Sequence, residues 1–316
     1  MRNAFARELA DVAADDPRVV LLSGDIGNRL FNDYKARFGD RFFNCGVAEA
    51  NMIGVAAGMA MCGLRPIAYT IVPFITTRCL EQIRVDLCYH RVPVILVGVG
   101  GGLCYAGLGA THHACEDIAL LRSFPEMTVI CPGDPIEVRL ALRQAVHWDG
   151  PVYIRIGKKG EPAIHAQEPP FVIGQAITLH EGSDVTLIST GNILPVAVQA
   201  RQLLCASGAS TRLVDMHTVK PLDERCLEVA FASSGVVATI EEHSLIGGLG
   251  GAVAEWLSER PASRARLVRF GTPDRFLHDT ADQQQARMLF GLTPETIADR
   301  IRDVASQPQT AGRTDL

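Results

Sequence analysis

Residues 92–110 read VPVILVGVGGGLCYAGLGA, nineteen positions without a charge. A helix of roughly 20 apolar residues crosses a bilayer, so this run either spans a membrane or lies buried inside a sheet. The glycines decide between the two. All six fall from Gly98 onward, behind a β-branched run that suits a strand covered on both faces. The segment reads as a buried parallel strand feeding a glycine-rich loop. No membrane association is expected, and the protein is expected to be cytoplasmic.

Outward from this strand the same rhythm repeats. Apolar runs at 19–25, 41–46, 65–72, 127–132 and 152–157 read as further strands, and 30–38, 48–62, 74–90, 115–123 and 134–148 as helices between them. Asp134 as N-cap, Pro135 at the first helical position and Glu137 three residues after the cap mark one helix start. Residues 157–176, with their Gly, Pro and mixed charge, break the pattern as a linker. Strands at 184–190, 211–216, 235–243 and 265–271 then alternate with helices from about 195, after Asp223 and from about 249. The expected fold is α/β, with two successive domains, each a mostly parallel sheet flanked by helices. Their expected limits are 1–164 and 184–316, joined by a linker at 165–183. The polar tail 306–316 is expected to fray.

Composition narrows the function. A chain of 316 residues with 47% apolar and 21% charged residues can bury two ordinary cores. A formal net charge of −5, without clustered Lys or Arg, gives no footprint for nucleic acid. The nine cysteines stand singly in mostly apolar runs, as small buried hydrophobes in a reducing compartment would. No Cys/His spacing suits zinc, and no site metal is expected on this chain. The N-terminal MRNAFARELADVAADD has no continuous apolar run, so no secretory signal is expected. VGVGGG (97–102) and IGGLGG (246–251) fit neither dinucleotide nor P-loop glycine spacing, and read as tight turns.

Three places carry polar groups where none is needed for solubility. In FNCGVAEANMIGVAAGMA (43–60), Glu49 is the one acid among small and apolar neighbours. An acid buried without a cationic partner favours its neutral form and becomes a hydrogen-bond donor to a ligand nitrogen. Stabilising a helix N-terminus is the equal alternative. GLGATHHACED (107–117) puts two histidines behind the glycine-rich loop, where parallel sheets collect ligands; surface imidazoles or a helix cap are the other reading. Arg155 ends the strand VYIRIG, where a cation either pairs internally or faces a site.

Taken together these segments resemble the transketolase family, over about residues 3 to 305. GVAEANMIGVAAGMAM is similar to the family's segment bearing the glutamate that activates thiamine diphosphate. THH at 111–113 resembles its Thr-His-Gln, and PVYIRIGK its strand ending in a phosphate-recognising arginine. DVTLISTGN, LVDMHTVKPLD and IEEHSLIGGLGG resemble its C-terminal domain. The resemblance implies catalytic roles for Glu49 and His112, and cofactor contacts from Glu49, Phe74 and Asp25. It also implies substrate contacts from His112, Arg155 and Arg78. At the position of Leu108, four residues before the motif histidine, common transketolases carry an aspartate that contacts the donor sugar.

The family holds its diphosphate through Mg2+ on a Gly-Asp-Gly motif with a downstream asparagine. GDI (24–26) and GDP (133–135) lack the second glycine. The resemblance therefore implies the C-terminal subunit of a split, two-chain transketolase. Its partner would be an N-terminal subunit carrying the diphosphate and Mg2+ site, in a heterotetramer acting on sugar phosphates. A β subunit of a 2-oxoacid dehydrogenase and a non-catalytic subunit completing a partner's site are the other two readings.

Overall fold

The computed structural model describes residues 1–27, 29–261, 263–278 and 281–307. Twelve strands form two sheets. The first holds β1 (Val19–Ser23), β2 (Phe42–Asn44), β3 (Arg65–Ile71), β4 (Ile95–Val99), β5 (Thr128–Ile130) and β6 (Val152–Ile156). The second holds β7 (Ile177–His180), β8 (Val185–Thr190), β9 (Thr211–Asp215), β11 (Val236–Ser244) and β12 (Arg266–Thr272). The remaining strand, β10 (Thr218–Lys220), leaves the second half of the chain and joins the first sheet. The orders are β10-β5-β6-β4-β3-β1-β2 and β12-β11-β8-β9-β7. Both are parallel except at one edge, where β10 runs antiparallel to β5 and β7 antiparallel to β9.

The apolar runs become central strands because both faces of each sheet are covered. In β4, Ile95, Val97 and Val99 pack into one core layer and Leu96 into the opposite one, the period-2 alternation of a strand. The second sheet is covered likewise on both faces. Residues 92–99 lie inside this architecture, and among the described residues no helix is long and apolar enough to cross a membrane. The nine cysteines are unpaired.

Helices stand close to where the pattern puts them, at Asn32–Arg37, Glu49–Met61, Asp117–Arg122, Pro135–Ala145, Leu194–Ala206, Glu224–Ser233 and Leu249–Ser258. Asp134 does cap its helix, accepting from Ile136 N and Glu137 N. Glu137, however, accepts from Gly133 N at 2.7 Å, so its carboxylate braces the preceding turn. The helix expected over 74–90 is instead four short pieces: Val72–Ile75, a 3-10 turn at Thr77–Cys79, Leu80–Gln82 and a π-helical stretch at Ile83–Tyr89. The terminal helix ends at Ser306, so the expected tail lies almost wholly outside the described residues.

Candidate active site

In a parallel sheet the strands' C-terminal ends form a crevice where loops diverge. Glu49 follows β2, Phe74 and Arg78 follow β3, and His112 follows β4, so one edge of the first sheet gathers all four. The approach to Glu49 is a tight turn. Gly46 takes a left-handed φ of 69°, and its N–H donates to Asn44 Oδ1 at 3.0 Å. Glu49 then opens its helix with a side chain only 5% exposed. Gly24 makes room for it: a Cβ there would stand 3.5 Å from Glu49 Cγ and 3.1 Å from Thr70.

Glu49 is not without a cationic partner, and this corrects the reading of a lone acid. Arg78 Nη1 lies 3.4 Å from both carboxylate oxygens. The arginine is half exposed, so the pair sits at the mouth of the crevice with the acid inside and the cation outside. The guanidinium also lies over the Phe74 ring, 3.9 Å from its centroid. Phe74 and Arg78 sit on either side of the helix break after Ile75, four residues apart.

His112 completes the row. Its ring meets Phe74 edge-on at 5.2 Å and Tyr105 at 6.2 Å, and Thr111 Oγ1 hydrogen-bonds its Nδ1 at 2.9 Å. Partial burial, the Arg78 cation and the neighbouring His113 hold its pKa below the usual imidazole value. The ring is therefore set to be neutral at physiological pH, able to accept or donate one proton. His113 points the other way, buried with Nε2 3.1 Å from Ala106 O, and staples the loop. Asp25 lies just beyond the end of β1 and accepts from Asn44 Nδ2 at 2.8 Å. Leu108 is exposed on the same loop as His112.

Arg155 stands apart from this row, inside the fold. It is 2% exposed. Its Nε donates to Asp117 at 2.7 Å, and its Nη2 donates to the carbonyls of Ala114 and Glu242, at 2.8 and 3.0 Å. With Nε and Nη2 so engaged, Arg155 ties the first sheet to β11 of the second domain. The cation beyond the end of β6 is Lys158, whose Nζ lies 5.0 Å from the centre of the Tyr105 ring. Lys158 thus continues the row past His112 and Tyr105. Only its place in the residues after β6 could have signalled it. As for metals, Asp134 of the GDP string is fully buried and accepts from four backbone N–H groups, those of Ile136, Glu137, Ile164 and His165. That aspartate is structural.

The family model for the transketolase pyrimidine-binding domain matches residues 1–161, and that for the transketolase C-terminal domain residues 174–297. The chain is 37% identical to an apulose-4-phosphate transketolase subunit of Phocaeicola vulgatus, over 86% of this chain and 87% of that protein. It is 34% identical to a 6-deoxy-6-sulfo-D-fructose transketolase subunit of a Clostridium species, over 97% and 95%. A solved split-gene transketolase, described as an inactive beta4 tetramer, superposes with a TM-score of 0.87 at 34% identity. That match covers 96% of this chain and 97% of the other.

Proposed function

The chain belongs to the transketolase family, and from that premise we propose that it is the pyrimidine-binding and C-terminal subunit of a two-chain transketolase. With an N-terminal partner it would move a two-carbon ketol unit from a ketose to an aldehyde. The observation that carries this reading is the row Glu49–Arg78–Phe74–His112–Tyr105 along one sheet edge. Relatives at 37% and 34% identity, matched over nearly their full length, are themselves named as transketolase subunits.

The donor set fits thiamine diphosphate at its pyrimidine end: a carboxylate for a ring nitrogen, an aromatic ring for a π face and an imidazole beyond. When bound, that cofactor supplies the nucleophilic carbon and the electron sink for breaking and making a bond beside a carbonyl. Glu49 would hold its carboxyl toward the pyrimidine nitrogen and keep a proton available there, its nearly closed setting excluding competing water. Phe74 presents its ring to the pyrimidine, and Arg78 limits which face of Phe74 is free. His112 orients substrate hydroxyls and moves a proton between them. Asp25, fixed by Asn44, lines the cofactor's approach. Lys158, at the far end of the row beside Tyr105, offers a substrate phosphate a point charge. Mg2+ and the diphosphate belong to the partner subunit.

The test is reconstitution. The purified chain is mixed with the product of an adjacent gene carrying Gly-Asp-Gly and a downstream asparagine, then given thiamine diphosphate, Mg2+, a ketose phosphate panel and an aldehyde panel. Mass spectrometry should show a ketose two carbons longer than the aldehyde. A folded, cofactor-loaded complex that consumes no ketose in any combination sinks the proposal.

A further inference from the structure

A second polar cluster lies away from the active-site row, where the two domains meet. Glu137, on the first-domain helix, His165, on the connecting segment, and Asp215, at the end of β9, bring one ligand atom each to within 4.8 Å of one another. His165 Nε2 is 2.7 Å from Glu137 Oε1. Asp215 is fully buried, and its carboxyl oxygens receive no donor from the protein, with only the neighbouring Glu137 carboxyl to share a proton with. His217, two residues on and also fully buried, has an equally unpartnered Nε2. A buried carboxyl without a donor is costly, so Asp215 beside a carboxylate–imidazole pair calls for a ligand.

We propose that Glu137, His165 and Asp215 form a structural site for one divalent transition-metal ion, of the zinc, cobalt or manganese class. One imidazole and two carboxylates are borderline-hard donors that suit such ions. Ca2+ wants six to eight oxygens, which this site does not offer. Ligand atoms around a tetrahedral ion stand roughly 3.3 Å apart, from bond lengths near 2.0–2.1 Å, so small side-chain rotations close the set. The outer shell is already built. Gly133 N fixes Glu137 Oε2, and Asp134 holds the Ile164 and His165 N–H groups at 2.8 and 3.0 Å. His165 is the less enclosed of the pair, its side chain 7% exposed against 0% for Glu137. Such an ion would join the first domain, the connecting segment and the second domain at one point.

The full-length chain is stripped with a chelator and titrated with Zn2+ by calorimetry, and with Co2+ by visible spectroscopy. One equivalent should bind, with a Co2+ spectrum free of thiolate charge transfer, and the thermal midpoint should rise. Asp215→Asn and His165→Gln should each weaken uptake about tenfold or more. His165→Gln, on the half-exposed segment, serves if the buried variant does not fold. Absence of a stoichiometric ion, thiolate bands from the cysteines, or uptake unchanged in His165→Gln would each overturn the proposal. So would an Asp215→Asn chain that is more stable than a wild type indifferent to metal, since that marks a plain acid pair.

Discussion

Arg78, 29 residues after Glu49 in the chain, holds Nη1 3.4 Å from both oxygens of the Glu49 carboxylate. The acid is buried and the cation half exposed, which leaves Arg78 free to turn toward solvent while Glu49 cannot. A ring nitrogen that engages Glu49 must share or displace this guanidinium. The pair therefore works as a cover on the acid, removable at the cost of one exposed arm of an ion pair, which is worth no more than about 1 kcal/mol.

Glu49→Gln should leave the fold intact and abolish turnover in the reconstituted enzyme. Gln keeps the shape and can still donate, but it cannot pass a proton back. A loss of about 10² or more in kcat is the usual size for a missing acid–base group. The assay is steady-state kinetics on the mixed subunits, with circular dichroism to confirm folding. Wild-type kcat in a folded, assembled variant would remove Glu49 from the chemistry.

Arg155 and Lys158 should separate cleanly. Arg155→Met leaves Asp117 charged and buried with only Tyr153 hydroxyl, at 2.7 Å, as a side-chain donor. Breaking one side of a buried pair costs about 3–5 kcal/mol, read as a lower urea midpoint, and Asp117→Asn in the same chain should recover part of it. Lys158→Ala should leave stability nearly unchanged and raise KM for a phosphorylated sugar more than for its unphosphorylated form. Equal KM changes for both sugars would leave Lys158 without a phosphate role.

Much of this was written locally in the sequence. The apolar runs that become β1, β3, β4, β6, β8 and β11 are each long enough to show two buried faces, and Asp134-Pro135 marks its helix without help. What stayed hidden depends on distant partners. β10 is three residues, Thr218-Val219-Lys220, that are a strand only through pairing with β5, far back in the chain, Thr218 opposite Ile130. The 74–90 run reads as one helix, yet the fold divides it into four short pieces. The residues around Arg155 show a costly cation, not whether Asp117 or a substrate satisfies it. Glu49 was legible as an anomaly, and Arg78 was legible as a neighbour only in space.

Stability against pH should expose a buried pair in the second domain. Glu241 accepts from Leu249 N and Gly250 N, and its Oε2 lies 3.8 Å from His243 Nδ1. Burial pushes Glu241 up from 4.5 to about 7 and His243 down from 6.5 to about 4. Between pH 4.5 and 7 folded Glu241 keeps a proton that the unfolded chain loses, so its contribution falls as pH rises. Between pH 4 and 6.5 the unfolded chain holds a His243 proton that the folded one lacks, so that contribution rises. Each is on the order of 3 kcal/mol, and from pH 4.5 to 6.5 they offset. Glu241→Gln should leave the His243 part alone, so the variant should gain stability over that range relative to wild type. Urea unfolding at both ends of that range measures it, and identical pH slopes for the two chains would refute the offset.

Without its partner, the chain should hold the cofactor poorly. At the proposed site it offers thiamine diphosphate one ring contact and one or two hydrogen bonds, from Phe74, Glu49 and their neighbours. A few kcal/mol corresponds to roughly millimolar affinity. No described aspartate in the GDI or GDP strings is free for Mg2+ in a cradle of the Gly-Asp-Gly kind: Asp25 is bonded to Asn44, and Asp134 is saturated by backbone donors. The isolated chain should therefore bind the cofactor weakly, without Mg2+ dependence, and turn over no substrate; the related split-gene transketolase solved as a beta4 tetramer is described as inactive. Adding the N-terminal subunit should create micromolar or tighter binding that requires Mg2+, in a heterotetramer with twofold symmetry. Calorimetry on each chain and then on the mixture, with light scattering for mass, measures both. Tight Mg2+-dependent binding by this chain alone would place the diphosphate site here and end the split-enzyme reading.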